Sequence, residues 1–272
     1  MTPVGEAYLL TLSAPIKPGA AHRLVATPEF EIRLVEYLAV EGYLHRAYEN
    51  GSKLARGTID GSKLGLGKLI GEALRSAFEK TEVRPITGLI AGLIPVSAAF
   101  GYYVQHESIT PEEALRRIMI SGLYNSPPQE TLALVEGLEA VSDSPLLLHL
   151  EDKGFTKNRI LLNKIGLGEL YEVLVEKDTG FLLNYKGLSL IRELEATIRK
   201  GQNTLHGIVL AYVHLLKKIA NVRVDAAKLT VKELARLDNT LRGKSDYNRL
   251  LGGVAIALAL ILFSEPLHLP QP

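Results

Sequence analysis

Cysteine and tryptophan are missing from the 272-residue chain, and methionine occurs only twice. Without cysteine there is no disulfide, no thiolate metal site and no cysteine nucleophile, and the redox compartment is left open. The lack of cysteine, the two methionines and the few glutamines suit a thermophile. Neither sign of charge is in excess: 31 Lys and Arg against 30 Asp and Glu leave a net +1. No basic run exceeds two residues, which argues against a nucleic-acid partner.

Long apolar runs are also scarce. The longest, "LLGGVAIALALILF" (residues 250–263), stops at Ser264-Glu265-Pro266 and is shorter than the roughly 20 residues a bilayer span takes. It reads as a buried helix. The N-terminal "MTPVGEAYLLTLSAP" has no basic region and carries Glu6, so it does not read as a signal peptide. The expectation is a cytoplasmic chain with no membrane partner.

What the chain has in quantity is helical periodicity. From Asn203 to Asn221 the apolar residues Leu205, Ile208, Val209, Tyr212, Leu215, Leu216 and Ile219 recur at three- and four-residue steps, which aligns them on one helix face. Thr110-Pro111-Glu112-Glu113 places Thr at an N-cap and Pro at the first helical position. Ser126-Pro127-Pro128 opens a further helix, and similar segments lie at 29–48, 66–80, 86–104, 165–177, 187–200 and 230–241. Alternating patterns are rare, and "NVRVD" (221–225) is the one short strand candidate. These features predict one all-α domain over residues 1–272, with about ten helices. The stretch 48–65, with Gly51-Ser52-Lys53 and Gly61-Ser62-Lys63, reads as an exposed loop or a lid that touches phosphate.

Most catalytic signatures fail. Gly67-Lys68 and Gly243-Lys244-Ser245 lack the first glycine of a phosphate-wrapping loop, because Ser62 and Asp238 stand there. Gly65-Leu66-Gly67 is followed by Ile70 and no strand precedes it, so it is no dinucleotide fingerprint. His206 and His214 are eight apart, which does not match zinc-ligand spacing.

One stretch survives, "APIKPGAAHRL" (14–24). Lys17, His22 and Arg23 flank Pro18-Gly19 just before a helical segment, and such a loop can present cations and backbone N–H groups to an anion. A plain connector between two helices is the competing reading.

The order of the segments adds a resemblance. "IKPGAAHRL" resembles the "PKPGxVHR" motif of the triphosphoribosyl-dephospho-CoA synthase family, especially its archaeal branch. "LGLGKLIGEAL" (64–74), "ITGLIAGLIPVSAA" (86–99), "NTLHGIVLAYVHLLKKIAN" (203–221) and "LDNTLRGKSDYNRLLGGVAIALALILF" (237–263) are similar, in order, to later family helices. The resemblance implies an α-helical fold. It also implies transfer of the triphosphoribosyl group of ATP to dephospho-CoA, with release of adenine and a need for Mg²⁺. It suggests Lys17, Gly19, His22, Arg23, Lys68, Thr87 and Gly88 for phosphate or nucleotide, and Glu31, Asp225 and Asp246 as metal ligands.

The chain departs from the family at polar positions. Arg84-Pro85-Ile86-Thr87 stands where the family has Asn-Thr-Asn, and Leu250-Leu251 falls near the family's closing Asp. The alternative expectation is therefore a relative that binds a nucleotide or phosphate without catalysis, or with another substrate. A third reading makes the chain a helical interaction protein, with the 88–100 and 250–263 helices as core or as a homodimer seam.

Overall fold

The structure is a computed structural model that describes residues 2–24, 28–56, 59–106, 108–224 and 229–264, with backbone only at 28–33, 61 and 62. It is all-α, and no strand occurs among the described residues. In chain order the helices are α1 (Pro3–Ser13), α2 (Pro28–Leu54), the one-turn α3 (Gly61–Leu64), α4 (Leu66–Thr81), α5 (Thr87–Gln105) and α6 (Pro111–Ile118). They continue with α7 (Pro128–Ala140), α8 (Ser144–Asp152), α9 (Lys157–Leu162), α10 (Leu167–Leu174) and α11 (Gly187–Arg199). The last are α12 (Thr204–Lys218), α13 (Val231–Leu241) and α14 (Leu251–Ser264). Residues Met119–Tyr124 form a π-helical turn, and Thr179–Phe181 and Tyr247–Leu250 form tight 3₁₀ turns.

The centre is α5 packed along α14. Around this pair lie α1, α2, α4, α6, α11 and α12. Every residue from Leu251 to Phe263 is buried, so the apolar run is a core helix. By length and composition alone, Thr87–Gln105 and Tyr247–Ser264 could cross a membrane; 83% and 78% of their apolar windows are buried inside the fold. Each fully buried Leu or Ile contributes about 1.5–3 kcal/mol by leaving water, which makes these two helices the main hydrophobic anchor.

Several local expectations are met for the stated physical reasons. Thr110 Oγ1 accepts from Glu113 N–H at 3.1 Å, with Pro111 in the first turn. On α12 the buried face is Ile208, Val209, Tyr212, Leu215 and Leu216, while Ile219 is 37% exposed past the helix end.

Two readings are corrected. Gly51-Ser52-Lys53 is the last stretch of α2, not loop. A Cβ on Gly101 would overlap the Ser52 carbonyl, so the absence of one there lets α2 close onto α5. Residues Asn221–Val224 form no strand. Asn221 has φ 53°, and Val222 N–H returns to Leu216 O at 3.0 Å, a left-handed stop to α12 that leaves nothing to pair with.

Candidate functional site

One end of the α5–α14 pair opens into a cleft of about 910 Å³. Its walls come from residues 19–22 between α1 and α2, Tyr37 of α2, residues 84–87 entering α5, and Asp143 with one side of α8 as far as Asp152. Lys177-Asp178 after α10 and residues 242–249 between α13 and α14 complete it. Segments 14–24 and 237–249, which carry the family resemblance, and 84–88, where the chain departs from it, meet here from far apart in sequence.

The 14–24 loop is held by main-chain bonds. Ala20 N–H returns to Lys17 O at 3.0 Å across Pro18-Gly19, and Gly19 takes φ 81°, the turn conformation that glycine allows freely. Gly19 N–H donates to Asp238 Oδ1 at 2.7 Å, Ala21 N–H to Asn248 Oδ1 at 2.8 Å, and Tyr212 Oη–H to Pro18 O at 2.8 Å. The loop is thereby tied to α12, α13 and the Tyr247–Leu250 turn.

Within this frame the expected phosphate ligands separate. Lys17 is fully buried, and its Nζ donates to Leu12 O and Ala14 O, both at 3.1 Å. It satisfies carbonyls at the C-terminal end of α1 and does not line the cleft. Burial, helped by the Arg23 charge, lowers its pKa well below the ordinary lysine value. Arg23 is exposed and lies outside the cleft wall. Lys68 also lies outside it, on α4, with its N–H on Glu130 Oε2 at 2.9 Å.

His22 does line the cleft. Its Nε2 lies 3.2 Å from Asp238 Oδ2 and 2.9 Å from Arg242 Nη2, while Nδ1 is buried without a partner. Burial lowers the imidazole pKa by more than Asp238 raises it, which favours the neutral ring. Asp238 also pairs with Arg242, with Nε at 3.1 Å from Oδ2.

Two aspartates from other segments sit at the start of α5. Thr87 Oγ1 donates to Asp143 Oδ2 at 2.5 Å, and Arg84 Nη2 to Asp143 Oδ1 at 2.7 Å. Gly88 N–H and Gly180 N–H both bond Asp178, the latter at 2.8 Å. The start of α5 is thus met by carboxyl groups of the chain itself. Thr87 lines the cleft with its hydroxyl already committed, and Gly88 packs under Asp178. Burial pushes the Asp178 carboxyl up to about 8 against the bond from Gly180; Asp143 and Asp246 add to the rise and Gly88 opposes it.

Glu31 and Asp225, proposed as metal ligands, lie outside the described residues, Glu31 by its side chain. Asp246 lines the cleft, where its carboxylate caps the 3₁₀ turn by accepting from Asn248 N–H at 3.1 Å. At nucleotide sites Mg²⁺ is held by one or two carboxylates together with phosphate oxygens and water. Among the described residues no three His, Asp or Glu side chains gather to hold a metal. Asp143, Asp178 and Asp238 already accept from side chains or backbone of the protein.

The cations of the wall are mostly ones that no motif signalled. Arg84 and Arg242 are paired, but Lys177, Lys244 and Arg249 make no ion pair among the described residues. Pro85, Ile86, Pro145, Leu146 and the 59% exposed Leu148 supply an apolar side. Basic groups beside apolar surface suit an anion that carries a flat or apolar portion. Comparison with protein-family profiles, curated proteins and solved structures finds no match to this chain.

Proposed function

We propose that the chain binds a nucleotide in this cleft, with its phosphates toward Arg249, Lys244 and Lys177 and its base toward the Pro145–Leu148 side. The observation that carries the reading is the convergence of segments 14–24, 84–88 and 237–249 on one cleft with unpaired cations and an apolar wall. Of these, 14–24 and 237–249 belong to the stretches that resemble the triphosphoribosyl-dephospho-CoA synthase family, whose donor substrate is ATP. The commitment of Asp143, Asp178 and Asp238 to internal partners supports binding over catalysis.

A second reading, transfer of the triphosphoribosyl group to dephospho-CoA, has one observation in its favour. Asp178 is a buried cleft carboxyl whose pKa burial pushes up to about 8, and an acid so raised can protonate a departing base. Incubation with ATP, Mg²⁺ and dephospho-CoA, followed by chromatography for free adenine, separates the two. Binding without adenine release supports the first reading, and adenine release that depends on Asp178 supports the second. Absence of any ATP-induced rise in melting temperature contradicts both.

A further inference from the structure

Arg249 stands out among the cleft cations. Its Nε is buried without a hydrogen-bond partner, and its guanidinium makes no ion pair among the described residues. A buried donor left unmet is costly, and that cost is recovered when an acceptor arrives. The backbone beneath it is fixed. Arg249 O accepts from Thr179 Oγ1 at 2.9 Å, and the same hydroxyl accepts from Gly253 N–H at 3.0 Å. One residue earlier, Asn248 Oδ1 holds Ala21 N–H. The guanidinium is thus carried on a turn locked to three other segments, with little ordering left to do when a ligand binds.

Three of the carboxylates near it are occupied by the protein's own donors, while Asp246 caps its own turn and Asp152, on α8, makes no ion pair among the described residues. Asp143 is held by Arg84 and Thr87, Asp238 by Gly19, His22 and Arg242, and Asp178 by Gly88 and Gly180. Freeing one of them for a metal would strip an arginine, a backbone N–H or a hydroxyl of its partner. The cationic side needs no such rearrangement, because Arg249, Lys177 and Lys244 make no ion pair among the described residues.

We propose that Arg249 is the anion anchor of the cleft and that, with Lys244 and Lys177, it neutralises a polyphosphate without a resident divalent cation. This inference rests on the nucleotide-binding reading above and adds to it the groups that take the charge. A guanidinium suits this role because its planar fork of donors matches phosphate oxygens and it stays charged at every working pH.

The test is calorimetric titration of ATP, and separately of inorganic tripolyphosphate, into the full chain in EDTA and again in Mg²⁺. Both ligands are expected to bind in EDTA, within about 10-fold of their affinity in Mg²⁺. Arg249→Gln is expected to weaken both by about 10- to 100-fold, and Arg249→Lys by less, since the charge remains but the fork is lost. The melting temperature of Arg249→Gln without ligand should equal or exceed that of the wild type, because an unmet donor is removed. If Arg249→Gln fails to fold, the exposed Lys244→Gln carries the test and should weaken tripolyphosphate binding by about 3- to 10-fold. Binding that requires Mg²⁺, or that ignores both substitutions, overturns this inference and leaves nucleotide binding standing. No binding of either ligand in either buffer overturns both.

Discussion

Gly19 N–H donates to Asp238 Oδ1 at 2.7 Å, a bond between residues 219 positions apart that fixes the edge of the cleft. The same carboxylate holds His22 and Arg242, so one side chain organises three donors. Replacing Asp238 with Ala leaves the partly buried Gly19 N–H unmet and strips Arg242 and His22 of their shared carboxylate. A loss of about 3 kcal/mol in unfolding free energy is expected by urea denaturation. Burial alone would raise the Asp238 pKa, but bonds from His22, Arg242 and Gly19 outweigh it and hold it below the usual value. Its contribution is therefore complete above the unfolded carboxylate pKa of about 4 and is lost as pH falls through the lower folded value. Wild type should lose stability below about pH 4 more steeply than Asp238→Ala.

Gly88 is a steric requirement of the cleft floor. A Cβ added there would overlap Asp178 Oδ1, and Gly180 in turn packs against the Gly88 backbone. Gly88→Ala should cost about 2–3 kcal/mol. In an Asp178→Ala background most of that cost should vanish, and the double-mutant cycle measured by denaturation reads the coupling directly.

Asp178 itself gives the opposite pH signature to Asp238. Its folded pKa is raised to about 8, so the folded state binds more protons than the unfolded one between about pH 4 and 8. Its contribution is fully present below the unfolded pKa and declines as pH rises through that window. Asp178→Asn, which can still accept from Gly180 N–H, should flatten this decline and be more stable relative to wild type at pH 8 than at pH 4. Equal wild-type and variant slopes in a pH series of thermal melts would contradict the assignment.

Lys17 separates the reading from sequence from the one built on geometry. A phosphate-binding lysine, replaced by Met, would lose affinity for ATP. The structure gives it to Leu12 O and Ala14 O inside the fold. Lys17→Met should leave the ATP dissociation constant unchanged within about 2-fold. Because the folded pKa is lowered, the unfolded chain binds the extra proton, so wild-type stability rises with pH up to about 10. Lys17→Met should lose that rise.

The helices were legible because their signal is local. Periodic apolar positions and the Thr110-Pro111 start act within one or two turns. The continuation of α2 past residue 48 was hidden because Gly51 reads as a breaker, although its lack of a side chain serves contact with α5. In the site, His22, Gly19, Thr87 and Asp246 were marked by resemblance and do reach the cleft wall. Lys17 was misleading, since sequence shows a charge and not which way it is buried. Asp143 and Asp178 carried no motif, for each acquires its role from a partner contributed by another part of the chain, Thr87 and Gly180, and Arg249 was not singled out because its unmet Nε is a property of the packed fold and not of the local sequence.

The central claim is that the cleft binds a nucleotide, and calorimetric titration of ATP into wild type and a cleft-filling variant tests it most directly. Ser245 is exposed and lines the cleft, so Ser245→Trp should occupy the space without disturbing the core. The account predicts saturable one-to-one binding to wild type, competed by tripolyphosphate, and loss of binding in Ser245→Trp with an unchanged melting temperature. Wild-type protein that is folded yet gives no saturable ATP signal, or a Ser245→Trp variant that binds as wild type does, would contradict it.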